Sequence, residues 1–411
     1  MITPSFGLTA TERVLPKLAL DFTTASLDSR VTFTRTTGAS NPATYVNSSG
    51  VVTAATNNQP RFDYDPVTLA CKGLLIEESR TNSCPYAEAF DDASWVKPRS
   101  SISADATTAP SGSVTADKLV EDSTASNTHY MYRDIPGLST TTYTYSVYAK
   151  AAERTQVTIR ADQGTPTFSI FNLSTGVVVT QAAGHTASIV NAGNGWYRCI
   201  VSLAITAGTG KLGQGIAVNG ATSYSGNGTS GIYIWGAQLE AGAFATSYIP
   251  TTTTALTRNA DVATMTGTNF SDWFNASEGT ILISAQSFGG SSYGLYLFDG
   301  TTNNITGLLI RTNGTSGRAA VMITAGVSQL GALASLTAAN KNTAVLSYKT
   351  NNGIAAMNGL EASADTTVTL PTVDRMNIAA SNTSTNNCWI EKIMFWNIAT
   401  TAAEVQAFSK G

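Results

Sequence analysis

The chain has 411 residues, which is enough for two or three domains that each bury a core. Charged residues make up 12% of it, about half of the usual share, and 24 Lys and Arg against 27 Asp and Glu give a formal net charge of -3. Because no basic run is present for phosphates to follow, the composition excludes nucleic-acid binding as an expected function.

The sequence shows no sign of export, membrane insertion or metal binding. Residues 1–22 lack a basic start followed by an uninterrupted apolar run, so no secretory signal is predicted. No apolar stretch reaches transmembrane length, and we expect a protein made in the cytosol. The four cysteines have no CxxC spacing and the two histidines lie far apart, so we predict neither a metal site nor a cofactor.

Residues 1–82 alternate short apolar stretches with turn clusters, which predicts a β-rich attachment module. The most specific residue order in this module is that of Pro60–Asn82, PRFDYDPVTLACKGLLIEESRTN. Pro60 keeps the preceding residue extended, and the acidic residues before Pro66 favour a turn. Apolar Leu74–Ile76 then predicts a short buried strand.

Charged side chains are concentrated in the same segment. They are Arg61, Asp63, Asp65, Glu77, Glu78 and Arg80. Each arginine can pair with a carboxylate, and carboxylates crowded beside arginines are common where a chain is held in place. We therefore predict a structural ion-pair cluster in preference to a catalytic dyad, although paired carboxylates can also perform acid and base chemistry.

Three pieces of the module follow one another in the order of a known signature. The pieces are Phe33-Thr34-Arg35, Ala43-Thr44-Tyr45-Val46 and Pro60–Asn82. They resemble the signature of bacteriophage and prophage virion proteins of the head-spike and tail-fibre kind. The resemblance implies a homotrimeric virion protein that is assembled in the host cytoplasm and released by lysis. From the positions of this signature and of the lectin-like strands described below, we hypothesise that the first 80 or so residues face the capsid, portal or tail, while the last domain faces a host-surface glycan.

Residues 83–252 contain a regular series of strand patterns. In Thr141–Lys150 the side chains alternate between two faces, and one of these faces is apolar. Its members are Tyr143, Tyr145, Val147 and Ala149. The link Asn172–Gly176 predicts a hairpin in which Gly176 takes a positive φ.

Two further resemblances suggest the domain types. Within 83–252, the pieces Tyr145–Lys150, Gly193–Arg198 and Gly236–Glu240 are similar to jelly-roll carbohydrate-binding modules, which implies a β-sandwich and sugar binding. A polar, Thr-rich stretch over residues 253–269 predicts an extended crossing strand or linker. Residues 270–411 resemble a concanavalin-like (laminin-G-like) sandwich, and the resembling pieces are Leu346–Tyr348, Ala355–Gly359 and Ile390–Asn397.

A short helix is predicted at the end of the last domain. Thr400 or Thr401 suits the N-cap position, and Glu404 stands where a capping box needs it. Val405 and Phe408 would then lie on one side of the helix. The prediction for the whole chain is an all-β fold, with a jelly roll and a concanavalin-like sandwich after the β-rich N-terminal module.

Motifs for covalent catalysis are missing from the sequence. No GxSxG occurs, and the stretch 314–317 is only a loop-like near miss. Glycoside hydrolysis needs just two carboxylates, but the adjacent pairs Asp91-Asp92 and Glu121-Asp122 would point to opposite faces of a strand. We therefore expect that the protein is not an enzyme, with a tailspike-like glycan depolymerase as the alternative.

Sugar binding needs aromatic rings for the apolar faces of pyranoses and polar groups for the hydroxyls. Candidates near predicted loops are Tyr224, Tyr293, Tyr296, Asn303 and Asn304. The tryptophans inside strand patterns are assigned to cores; they are Trp196, Trp235, Trp389 and Trp396. We predict a virion fibre, spike or decoration protein that binds glycans, and a purely structural protein that stabilises the capsid or tail is the second alternative.

Overall fold

The computed structural model describes residues 15–35, 43–289, 292–311, 317–334, 341–380 and 386–411. The first strands are β1 (Leu18–Asp21), β2 (Thr32–Thr34), β3 (Ala43–Val46), β4 (Val52–Ala55), β5 (Arg61–Tyr64), β6 (Cys71–Ile76), β7 (Arg80–Asn82), β8 (Ser100–Thr108), β9 (Val114–Glu121) and β10 (Asn127–Leu138), with a 3-10 helix at Phe22–Thr24. Next come β11 (Thr141–Ala151), β12 (Gln156–Asp162), β13 (Phe168–Asn172), β14 (Val177–Thr180), β15 (His185–Asn191), β16 (Trp196–Ile205), β17 (Gly208–Ala217), β18 (Ser223–Tyr224), β19 (Gly231–Ala241) and β20 (Leu256–Arg258).

The last part of the chain adds β21 (Val262–Thr266), β22 (Glu278–Gly289), β23 (Ser292–Phe298), β24 (Ile305–Arg311), β25 (Gly317–Thr324), β26 (Val327–Ala334), β27 (Asn342–Lys349), β28 (Asn352–Met357), β29 (Leu360–Asp365), β30 (Arg375–Ile378) and β31 (Asn387–Trp396). The α-helices are α1 (Thr268–Ser271) and α2 (Ala402–Phe408). Neighbouring strands pair in antiparallel fashion throughout these sheets. The prediction of an all-β protein built of antiparallel β-sandwiches is confirmed.

The described residues form two compact units, which we call the first and the second sandwich. The first sandwich contains the described residues of Arg35–Cys71 and Ser79–Ala260, and the second contains residues 15–34, Lys72–Glu78 and those of Asp261–Gly411. Residues 1–82 are therefore divided between the two units, whereas the sequence pattern predicted one module. Long-range pairing explains the division, because β1 lies beside β31 and β2 beside β21, while β7 pairs with β20.

The first sandwich has two six-stranded sheets. The front sheet has the order β14-β13-β12-β17-β10-β18, and the back sheet has the order β15-β16-β11-β19-β9-β8. Apolar side chains of both sheets form one core between them, which includes Tyr145, Phe171 and Ile216. The predicted apolar face of β11 is confirmed, since Tyr143, Tyr145, Val147 and Ala149 are all buried.

The outer face of the back sheet is also covered by chain. Tyr148, Trp196 and Trp235 form a second apolar cluster there with Tyr248, against which Val52 packs. The burial of Trp196 and Trp235 agrees with their assignment to cores. Both faces of the back sheet are thus occupied, which gives its strands long buried runs.

The second sandwich contains a sheet with the order β29-β28-β27-β22-β31-β6, in which β1 also pairs with β31, and a sheet with the order β2-β21-β30-β23-β24-β25-β26. Helix α2 covers one face through Val405, which packs with Leu282 and Val345. The predicted capping box is present, because Thr401 is the N-cap and its backbone N–H donates to Glu404 Oε2 at 2.8 Å.

Three local predictions can be compared with the structure. The hairpin at Asn172–Gly176 is confirmed, with Gly176 at a φ of 67°. The stretch 253–269, predicted as an extended crossing strand or linker, holds β20, β21 and the start of α1. Trp389 and Trp396 are half-buried instead of lying in the core: Trp389 stands under Lys72, and Trp396 stacks on Phe408 of α2.

No helix within the described ranges has the length and apolarity that a membrane crossing requires.

Candidate functional site

The outer face of the front sheet carries tyrosines on β10. Side chains alternate along a strand, so Met131 points into the core while Tyr130 and Tyr132 point outward. The backbone register places Tyr130 opposite Gly215 and Tyr132 opposite Gly213 on the adjacent strand β17. Each outward-facing tyrosine therefore has a residue without a side chain as its neighbour.

Only glycine fits at these two positions of β17. A Cβ atom at Gly213 would lie 2.0 Å from the carbonyl oxygen of Met131, and one at Gly215 would lie 2.5 Å from Cβ of Tyr130. These separations are far inside van der Waals contact. The two glycines leave space on the sheet face, which the tyrosine rings can occupy.

The rings meet a third aromatic side chain from β13. The centroids of Tyr130 and Tyr132 are 5.9 Å apart at an interplanar angle of 23°, and the Phe168 ring is edge-on to Tyr130 at 5.5 Å. All three side chains are half-buried. We call Tyr130, Tyr132 and Phe168 the aromatic patch.

A buried ion pair supports the aromatic patch. Arg160 of β12 is opposite Gly213, and its guanidinium carbon is 4.5 Å from the ring centroid of Tyr132. Arg160 donates to Asp162 Oδ2 at 2.7 Å and to Oδ1 at 3.2 Å, with both side chains less than 10% exposed. Asp162 also accepts backbone hydrogen bonds from the following turn. This fixed arginine contacts the tyrosine rings by a cation–π interaction and holds their positions.

A second ion pair borders the same patch. Lys211 Nζ is 2.8 Å from Asp134 Oδ1 and 5.3 Å from the ring centroid of Tyr132. The hydrogen bond to Asp134 raises the pKa of Lys211 above its ordinary value. The lysine is therefore a paired cation at neutral pH. Partly exposed aromatic rings held in a rigid sheet can stack on the apolar face of a sugar ring.

Among the predicted sugar-binding residues, Tyr224 lies in the first sandwich and the other four in the second. Tyr224 is on the edge strand β18, where its hydroxyl donates to Glu121 Oε2 at 2.8 Å and its ring is 4.7 Å from that of His129. This engagement makes Tyr224 part of a buried polar cluster. Tyr224 and the other four candidates therefore belong to different units.

The other candidates lie on β23 and the turn after it. Asn304 Nδ2 donates to Asp299 Oδ2 at 2.8 Å, whereas the neighbouring Asn303 is exposed. Tyr296 is half-buried on β23, and the side chain of Tyr293 falls outside the described residues. A sugar-binding role for these residues stays a prediction.

The charged residues of the signature segment are also divided between the units, with Glu77 and Glu78 in the second sandwich and the other four in the first. Buried Arg61 donates to the carbonyl of Thr44 and to Ser247 Oγ, both at 2.9 Å. Asp63 accepts from the backbone N–H of Val46 at 2.8 Å. These contacts hold backbone segments in place.

The remaining members of that set each have a partner within their own unit. Asp65 accepts from the backbone N–H groups of residues 67 and 68, as in a turn. Arg80 lies over the ring of Phe244 at 4.7 Å. The backbone N–H groups of Glu77 and Glu78 donate to the side chains of Asp261 and Asn387. Pairing of the six charges with one another stays a prediction.

Sequence reasoning missed the aromatic patch, although a local signal was present. Tyr130-Met131-Tyr132 and Gly213-Gln214-Gly215 both have a period of two, as strands with different faces do. The strand pairing that places the two patterns side by side is not visible in the sequence. Among the described residues, no group of three or more His, Cys, Asp or Glu side chains could hold a metal ion.

No protein-family model and no curated protein matches the chain. Among solved structures it is similar to Trypanosoma rangeli sialidase in complex with the inhibitor DANA, at 12% identity and a TM-score of 0.29, over 72% of this chain and 60% of that one. A second structure of Trypanosoma rangeli sialidase gives 12% identity and a TM-score of 0.29 over 71% and 59%. Domains LG4-5 of the mouse laminin alpha1 chain give 9% identity and a TM-score of 0.25, over 66% of this chain and 86% of that one.

The expectation that the protein is not an enzyme is contradicted by these matches, since the matched trypanosome proteins are sialidases. It rested on missing motifs, but a glycosidase needs only two carboxyl groups brought together by the fold, which leave no local motif. We therefore withdraw that expectation. The chain spans about three fifths of the length of these sialidases, and at this TM-score the likeness assigns no activity to it.

Proposed function

We propose that the protein is a bacteriophage virion protein, a head fibre, spike or tail fibre, that binds host-surface glycans through the aromatic patch. The proposal includes a homotrimer that contacts other virion proteins, a jelly-roll type for the first sandwich and a concanavalin-like type for the second. The observation that carries the binding function is the aromatic patch itself. The resemblance of Pro60–Asn82 to the phage signature carries the virion role.

The geometry of the aromatic patch supports sugar binding for two reasons. The rings of Tyr130 and Tyr132 are half-buried, close to parallel and 5.9 Å apart between centroids, so together they present more aromatic surface to a ligand than one ring does. They also stand on a paired sheet with Arg160 fixed beside them, so little side-chain freedom is lost when a ligand binds.

The signature segment is part of the folded core of the protein. Its residues contribute buried polar groups such as Arg61 and Asn82, whose side chains bind backbone carbonyls of the first sandwich. The virion role is tested by location.

Glycan binding is tested with variants of the patch on an array of bacterial surface glycans. We expect Tyr132→Ala to weaken binding about fivefold, because one stacked ring contributes about 1 kcal/mol. Tyr233→Ala removes a half-buried tyrosine from the back sheet and serves as the matched control. Equal binding by the two variants would contradict the site. The same samples are checked for release of reducing ends, which reports hydrolysis.

The virion role is tested by immunogold electron microscopy with an antibody against residues 270–411. Gold on the particles of the source culture is the expected result, and its position separates a head fibre from a tail fibre. Unlabelled particles contradict the virion role. A blank glycan array combined with fragile particles that lack the protein would instead support a purely structural role.

A further inference from the structure

The charges around the aromatic patch are balanced. In the described part of the first sandwich, Arg160 and Lys211 supply two positive charges beside the rings, and Asp162 and Asp134 supply two negative ones. Cross-strand register places Lys211 between the two aspartates, with Asp134 on one side and Asp162 on the other. Positive and negative groups therefore alternate across the sheet.

Neither cation is available to an anionic ligand without the loss of a bond. Arg160 is buried and makes two hydrogen bonds to Asp162, so turning it outward would leave a buried carboxylate unpaired. Lys211 is partly exposed, but its ammonium group is held at 2.8 Å by Asp134. A carboxylated or sulfated sugar placed on the rings would meet paired cations and the partly exposed carboxylate of Asp134.

An uncharged sugar can bind without breaking either ion pair and without repulsion from the Asp134 carboxylate. Its apolar face stacks on Tyr130 and Tyr132, and its hydroxyls remain in water or reach the polar groups at the rim. The chain as a whole also has a formal charge of -3, which disfavours the approach of polyanions. The balance of interactions favours neutral over acidic ligands.

We infer that the aromatic patch selects uncharged glycans and discriminates against acidic ones. This inference rests on the proposed glycan-binding function and adds the chemical class of the ligand. The discrimination is set by Asp134 and Asp162, which neutralise the two cations beside the rings.

The test uses one acidic polysaccharide in two forms, native and with its uronic carboxyl groups reduced to alcohols. Both forms share their linkages, so they differ in charge alone. We expect the full-length protein to bind the reduced form at least fivefold more tightly at low salt, and the difference to shrink as salt is added. Tyr132→Ala should weaken binding of the reduced form.

A charge variant tests the cause of the selectivity. Asp134→Asn releases Lys211 from its partner, so we expect the ratio of acidic to neutral binding to rise severalfold. Asp91→Asn makes the same change of charge at an exposed residue outside the patch and should leave the ratio unchanged.

The possible results separate the two proposals. If both forms bind through Tyr132 but the acidic form binds as tightly as the reduced one, the selectivity inference fails while glycan binding stands. If neither form binds, or if Tyr132→Ala has no effect, glycan binding at the patch and its selectivity both fail. An equal rise of the ratio in Asp134→Asn and Asp91→Asn would also overturn the inference.

Discussion

The substitution Glu121→Gln should destabilise the first sandwich by removing one buried charge. The side chain of Glu121 is 0% exposed and that of its partner Arg154 is 22% exposed. Arg154 donates to both carboxylate oxygens, and Tyr224 and the backbone N–H of Asn227 donate at 2.8 and 3.0 Å. Glutamine keeps the shape but turns an N–H group toward these donors.

The expected loss is about 3 kcal/mol, at the lower end of the range for a broken buried ion pair. Typical domains have about 5–15 kcal/mol of total stability, so the loss should be large enough to measure. The assay is urea unfolding of the full chain at pH 7, with hydrogen exchange of β11 peptides used to assign the transition of the first sandwich.

The matched control is Glu153→Gln, which acts on an ion pair at the surface of the same sandwich. Glu153 is 52% exposed and lies 2.8 Å from Lys118 Nζ, so its loss should cost less than about 1 kcal/mol. If Glu121→Gln lowers the free energy of unfolding by no more than this control does, the reasoning about the buried carboxylate is refuted.

The same pair predicts a dependence on pH. Burial alone would raise the pKa of Glu121, but the hydrogen bonds from Arg154, Tyr224 and Asn227 outweigh it and hold the pKa below its ordinary value. A carboxyl group with a lowered folded-state pKa stabilises the fold above its unfolded-state pKa, and this contribution is lost as the pH falls through the folded-state pKa. The difference between wild type and Glu121→Gln should therefore shrink in acid.

Two further predictions concern a glycine and a second carboxylate. Gly73→Ala should lower the melting temperature of the second sandwich by far more than Gly267→Ala. An added Cβ at Gly73 would lie 2.1 Å from the carbonyl oxygen of Ile390, whereas one at Gly267 would meet nothing within 4 Å. Equal shifts in melting temperature would contradict this prediction. Burial raises the pKa of Asp117 to about 6. Because this folded-state pKa lies above the unfolded one, stability contributed by the protonated group should decline by roughly 2–3 kcal/mol from pH 4 to pH 6. Asp117→Asn should remove that decline in melting scans across this range, and an unchanged pH profile would show that the carboxyl is already ionised.

The parts of the fold that follow local rules could be predicted. Alternation in Thr141–Lys150 identified the buried face of β11, and the spacing of Thr401 and Glu404 identified the start of α2. Turn chemistry placed the hairpin at Gly176. In each case the interacting residues are close in sequence, so the pattern contains the information.

The parts of the fold that depend on pairing between distant residues could not be predicted from the sequence. Leu18 pairs with Phe395 in the second sandwich, and no local pattern records a pairing over such a separation. The aromatic patch could not be predicted for the same reason. Tyr130 and Gly215 are 85 residues apart and become neighbours only through the register of β10 and β17.

The most direct test of the central claim is fluorine NMR of protein labelled with 3-fluorotyrosine, titrated with the host-surface glycan that binds best on the array. The chain has 15 tyrosines, and their signals can be assigned by single Tyr→Phe substitutions. Binding at the aromatic patch predicts that the Tyr130 and Tyr132 signals shift with one saturation curve while those of Tyr224 and Tyr296 stay in place. Shifts confined to Tyr224 or Tyr296, or no shift at saturating glycan, would contradict the account.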